Sequence, residues 1–414
     1  MTAPAPSPET RPATPGTSLG ARFRASALNL APKANLRDAG IATAIVSPLV
    51  LISVYGWLWT GNSAPSEFTI FGPAGAALLR GRISEVFVLP ATQGGPFELA
   101  PYGLAQLLGI NTTTQWAVYF TVAILALLFL FLVTVLAPVR LERQKFRIYL
   151  AMAAGAAAVL SNFLPDAFNS GHPAQVVIPC LWVLAAISAR SGHFITVGLL
   201  IGLGAGFETW AVLGAPVIFV VARPGLLKAA AAGAATLAVL YLPFVATGHF
   251  AMGKYIWPVE PQNLIHHIFP ALTEFTWPAR LLQAAIAMGV GVLIARLTRH
   301  SAHAVWLVPV AIIAARFPLD PLNWFYYWSA PGVLLILGAA LAASRKEVPL
   351  TIVLVAMATW LAPTAFQPWL APRSIAGKLT FFVLAVIVIP LWLVLQNKRR
   401  PDAVAQQSAD VASS

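Results

Sequence analysis

The stretch AGIATAIVSPLVLISVYGWLWT, residues 39–60, carries no charged side chain along its whole length. A helix needs ~20 such residues to cross the hydrocarbon core of a bilayer. Comparable runs recur at 114–137, 148–165, 174–190, 229–247, 280–297, 304–317, 326–343, 348–364 and 376–395. Inside lipid each segment must satisfy its own backbone polar groups, so runs of this kind form helices. Two shorter apolar pieces, 194–207 and 210–222, flank Glu208-Thr209. Each reaches ~21 Å or less as an α-helix, which fits either a pair of short spans or one broken hairpin. Composition agrees: 58% of the chain is hydrophobic and only 10% charged, against about 25% charged in soluble proteins. The expected fold is an all-α polytopic membrane protein, a bundle of about 10–13 transmembrane helices.

The formal charge of +12 does not mark a nucleic-acid binder, because of where the charge sits. Lys and Arg gather in short connections: RLERQKFR (140–147), RLTRH (296–300), SRK (344–346) and NKRR (397–400). That is the pattern of cytoplasmic loops under the positive-inside rule. Arg11, Arg22, Arg24, Lys33 and Arg37 precede the first span and place its start on the same side. Both termini are then cytoplasmic: a disordered arm over 1–38 and a disordered tail over 398–414, with one integral membrane domain over 39–397. Residues 61–113 fall on the opposite face. They include GPFELAPYGLAQLLGI (95–110), too short and interrupted to span and better suited to an interfacial or re-entrant helix. The single cysteine, Cys180, lies in an apolar run and excludes an intrachain disulfide.

The outer loops hold the polar residues that need an explanation. Glu67, Asp166, Glu260 and Asp320 each lie close to the end of an apolar segment. Carboxylates meeting at one membrane face can supply a general base and an orienting partner; each singly also fits a solvated loop residue or helix cap. Glu208 sits either at membrane depth, where an ionisable group needs a cavity or a partner, or at the tip of a hairpin. Trp257, Trp277, Trp324, Tyr326, Tyr327 and Trp328 fit an aromatic belt or a stacking platform for a sugar ring. Arg80, Arg82, Lys254, His172, His266 and His267 are candidates to contact a phosphate. His266 and His267 make a poor metal pair, since adjacent helical residues do not share a face. No other ligand spacing is evident, so neither a metal nor another cofactor is expected.

The sequence has no P-loop, dinucleotide fingerprint or zinc-protease motif. Three stretches instead carry a resemblance: SEFTIFGPAGAALLRG in the first outer loop, the region from GHPAQ to VVARP (171–224), and LDPLNWFYYWSAPGVLLIL (319–337). In layout the chain resembles the polyprenol-phosphate-sugar-dependent glycosyltransferases of the GT-C superfamily. It is most similar to the actinobacterial family typified by alpha-mannosyltransferases that use polyprenyl-phosphate mannose. The resemblance covers most of residues 40–395. It departs from the family at Glu67, where Asp is usual, and at Glu208, where Lys is frequent.

This resemblance implies a bacterial plasma-membrane enzyme with a GT-C-like bundle and interfacial helices in the first extracytoplasmic loop. It would move mannose or another sugar from a polyprenyl-phosphate donor to a glycolipid or polysaccharide acceptor, with inversion. Glu67 would be the base, with Asp166 and Asp320 in reserve, and the basic residues above would face the leaving phosphate. Two other classes fit the same chain: a transporter or flippase for a lipid-linked saccharide, and a non-catalytic subunit of the same fold. Translocation without a new glycosidic bond would mark the first of these, and lack of transfer with any donor the second.

Overall fold

In the computed structural model, the described residues are 33–59, 64–65, 67–322, 324–362 and 372–396. The arm over 1–32 and the tail over 398–414 lie outside them. The first helix, Lys33–Trp59, begins within the stretch assigned to the arm. The chain is an all-α polytopic membrane protein. Among the described residues six helices are long and apolar enough to cross a membrane: Asn35–Gly56, Thr113–Leu136, Leu226–Val245, Trp277–Thr298, Phe325–Ser344 and Ile375–Gln396. A seventh span arises if Gln144–Leu160 and Phe163–Asn169, bent by 48°, count as one. The other apolar helices are shorter, among them Phe68–Leu79, Ala174–Arg190, Phe194–Ala205, Ala304–Leu319 and Val348–Leu361.

Polar contacts join several of the short connections. Asp38 accepts from Arg147 (2.7 Å) and Gln144 (2.9 Å), and Asn35 donates to the Leu136 carbonyl. Arg190 donates to the Arg299 carbonyl, and Glu347 contacts both His303 and Arg345.

Burial sorts the helices into layers. The Phe325–Ser344 span is 89% buried over its apolar window, whereas Leu226–Val245 is 0% buried. Leu226–Val245 packs along Phe194–Ala205 at Gly198 and Ala229, and the rest of its apolar surface suits lipid. The central helix packs against Ala304–Arg316 and Ala174–Arg190, both nearly fully buried. Residues 194–220 form two short apolar helices packed against each other, a hairpin-shaped pair that fits both a pair of short spans and one broken hairpin. Its second limb, Thr209–Val220, is a 3-10 helix. At ~2.0 Å rise per residue its 12 residues reach ~24 Å, farther than an α-helix of the same length. The Trp182 indole donates to the Ala211 carbonyl (2.8 Å) and holds that limb against the core.

Two short helices fill the first long connection, Phe68–Leu79 and Pro96–Leu107. They cross at Gly75 and Gly103: a Cβ on Gly75 would lie 2.1 Å from the Leu99 carbonyl oxygen, and one on Gly103 2.1 Å from the Gly75 carbonyl carbon. Only hydrogen on both sides permits this approach. The contact matters because Glu67 caps the first of these helices and Glu98 lies on the second. A leucine cannot be absorbed there by side-chain movement alone. Gly103→Leu should therefore destabilise the fold by ~1–3 kcal/mol, read as a lower Tm of the detergent-purified protein, while a leucine at exposed Gly253 should leave Tm unchanged.

Candidate functional site

Two backbone contacts tie the first connection to the hairpin tip. Gly95 N–H donates to the Phe207 carbonyl (2.5 Å) and Phe97 N–H to that of Gly206 (2.8 Å). They bring Glu98 and Glu208 to the same place. Gly171 completes the arrangement. It turns the chain with φ +89°, and a Cβ there would meet the Glu67 Cβ at 2.7 Å. This tight turn delivers His172 beside Glu67.

His172 is the hub. Its Nδ1–H donates to Glu208 Oε1 (2.8 Å); Glu98 Oε1 lies 3.9 Å from Nδ1, and Glu67 Oε1 lies 3.9 Å from Nε2. The ring stacks on Tyr326 (centroids 4.3 Å apart) and meets the edge of Phe71. Burial works against its charge, but the bonds to Glu208 and Glu67 and the charges of Glu208 and Glu98 outweigh it and hold the imidazolium up to about 10. Glu98 is fully buried, and neither carboxylate oxygen has a hydrogen-bond partner. Burial, reinforced by the Glu208 charge, pushes its pKa well above the ordinary range. The Trp210 indole donates to the second oxygen of Glu208 (2.5 Å). Glu98, His172 and Glu208 offer one ligand atom each within 4.8 Å of one another.

A second charged group contributes, with the first, to one cavity of about 600 Å³. Asp320 is buried between Arg280 Nη1 (3.3 Å) and Arg316 Nε (3.0 Å), and accepts from Leu322 N–H. Burial alone would raise its pKa, but Arg280 and Arg316 hold it below the usual carboxylate range. Two guanidiniums on one carboxylate leave a net positive charge. Arg280 lies over the Trp257 ring (4.5 Å) and Arg316 over Trp210 (5.3 Å) and Tyr327 (5.5 Å). Glu67, His172 and Glu208 line the cavity with Arg280, Arg316 and the aromatic rings of Trp257, Trp277, Trp324, Tyr326 and Tyr327.

The other sequence candidates do not reach this cavity. Arg80 and Arg82 are exposed, and Arg82 pairs with Glu85 (3.2 Å). Lys254 is exposed beside the cavity rim. His266 and His267 occupy a five-residue helix, Leu264–Ile268, with His267 bonded to the Asn263 carbonyl. Asp166 is buried and bonded to Asn162, away from the lining. Glu98, Arg280 and Arg316 were not singled out from the sequence. Each does interrupt or border an apolar run, and that position is the signal that could have found them.

No protein-family model, curated protein or solved structure matches this chain. Two changes probe the charge balance. Asp320→Asn leaves two buried arginines uncompensated and should cost ~3–5 kcal/mol, seen as a large fall in Tm. In metal-free buffer the His172 contribution is complete below about pH 6.5, the unfolded value, and is lost as pH rises through about 10. Tm should fall over that window, and less steeply in His172→Gln.

Proposed function

We propose that the chain is an inverting glycosyltransferase that takes a sugar from a polyprenyl-phosphate donor and passes it to a hydroxyl of a glycolipid or polysaccharide. The observation that carries this reading is one aromatic cavity whose lining holds both carboxylates, Glu67 and Glu208, and two guanidiniums, Arg280 and Arg316. Displacement at an anomeric carbon needs a base for the incoming hydroxyl and positive charge for the departing phosphate. Glu67 suits the base. Its side chain is 31% exposed and borders the cavity, whereas Glu98 is sealed and Glu208 already accepts from His172 and Trp210. Arg280 and Arg316, rather than the loop cations, suit the phosphate, since forked guanidiniums match its oxygens. Trp257, Trp324 and Tyr326 offer faces for a sugar ring.

A lipid-borne donor needs a sideways entrance. The cavity lining includes Leu281 (65% exposed), on a helix long and apolar enough to span, and Val212 (37% exposed) beside it. A polyprenyl chain can lie along this side while its head enters. The clustering of Lys and Arg in short turns supports, through the positive-inside rule, a cavity on the extracytoplasmic side, and the membrane that suits this reading is a bacterial plasma membrane. The same side entrance would also serve a flippase for lipid-linked saccharides, which would move its cargo and form no new glycosidic bond.

The direct test incubates purified protein with radiolabelled polyprenyl-phosphate sugars and a cell-lipid extract. A new labelled product is expected; no product with any donor overturns the proposal. Glu67→Gln should slow transfer by ~10²–10⁴-fold while donor binding and Tm stay near wild type. Wild-type rates in that variant would remove Glu67 from the base role but leave the enzyme class standing.

A further inference from the structure

We propose that Glu98, His172 and Glu208 form a binding site for one divalent transition-metal cation, of the Mn²⁺ or Zn²⁺ kind. The three donor atoms lie within 4.8 Å of one another. Two metal–ligand bonds of ~2.1 Å span at most ~4.2 Å, so side-chain adjustment on the order of 1 Å closes the site. The mixed set of two carboxylates and an imidazole suits transition metals better than calcium or magnesium, which prefer oxygen alone.

The independent observation is Glu98. Its side chain is 0% exposed, both carboxylate oxygens lack a hydrogen-bond partner, and it points at His172 Nδ1 from 3.9 Å. The Ala174 N–H is the one backbone donor turned toward it; a buried carboxylate with so little support is an expensive group to keep, and a cation shared with Glu208 satisfies it. Charge points the same way. Glu67, Glu98 and Glu208 surround one imidazole, and among the described residues none of the three pairs with Lys or Arg.

The surroundings have the form of an outer shell. A metal-bound histidine donates its other N–H to a carboxylate, and ligating carboxylates are themselves hydrogen-bonded. Here Nε2 faces Glu67 at 3.9 Å and the Trp210 indole holds the far oxygen of Glu208 at 2.5 Å. Stacking on Tyr326 and the Phe71 edge fixes the plane of the ring. His172 and Glu208 border the cavity while Glu98 closes the back. Open coordination positions would therefore face the cavity. The site stands whether or not the cavity performs glycosyl transfer.

The test uses the full chain in detergent, stripped with chelator and titrated with Mn²⁺ or Zn²⁺. One tightly held cation per chain after gel filtration is expected, with a single imidazole nitrogen coupling in the pulsed EPR spectrum of the Mn²⁺ form. Glu98→Gln and His172→Gln should each weaken binding at least tenfold. Glu85→Gln, at an exposed carboxylate, should not. Absence of stoichiometric binding by both metals overturns the proposal. So does bound Mn²⁺ without nitrogen coupling in the wild type, a readout independent of how the variants fold. Unchanged affinity in folded Glu98→Gln and His172→Gln protein would overturn it too.

Discussion

One imidazole holds three carboxylates together at the end of an otherwise apolar bundle. His172 reaches Glu208 directly and stands within ion-pair distance of Glu67 and Glu98. Charges of one sign this close, with little water, repel strongly because the low dielectric does not screen them. A shared cation, whether a proton on His172 or a metal, offsets that repulsion. The backbone bonds from Gly95 and Phe97 to the hairpin and the glycine crossing at Gly75 and Gly103 hold the acids at that spacing.

Asp320 does the complementary task among the cations. It gathers two arginines that would otherwise repel each other and leaves them with charge to spare. Carboxylates and guanidiniums lining one aromatic cavity can together engage a substrate that has a hydroxyl at one end and a phosphate at the other. That combination underlies the proposed transfer reaction. It also changes the part played by Asp320, which orients cations and is held too acidic for a base at neutral pH.

Several parts of the site were legible in the sequence, each for a local reason. Glu67 stood out because it follows the first apolar run, and His172, Tyr326 and Tyr327 because they sit in loops on the same side. Glu208 was legible as a charge between two apolar pieces, but its depth was not, since hairpin and span share one composition. Arg80 and Arg82 look like phosphate ligands only in one dimension; the helix they follow turns them outward. Glu98 was hidden inside an amphipathic-looking piece, and Arg280 and Arg316 at the ends of apolar runs, where basic residues are common anchors.

The apolar runs and the clustering of Lys and Arg in short turns determined by themselves that this chain is a multi-pass helical membrane protein. Both are one-dimensional properties: lipid selects segment length and composition whatever the segments pack against. Which helices reach across and which stop short was decided by tertiary structure. So was the meeting of residues 67, 98, 172 and 208, and of 280, 316 and 320. These groups come from separate elements, and only close glycine crossings, a left-handed turn and buried charge pairing bring them within a few ångströms.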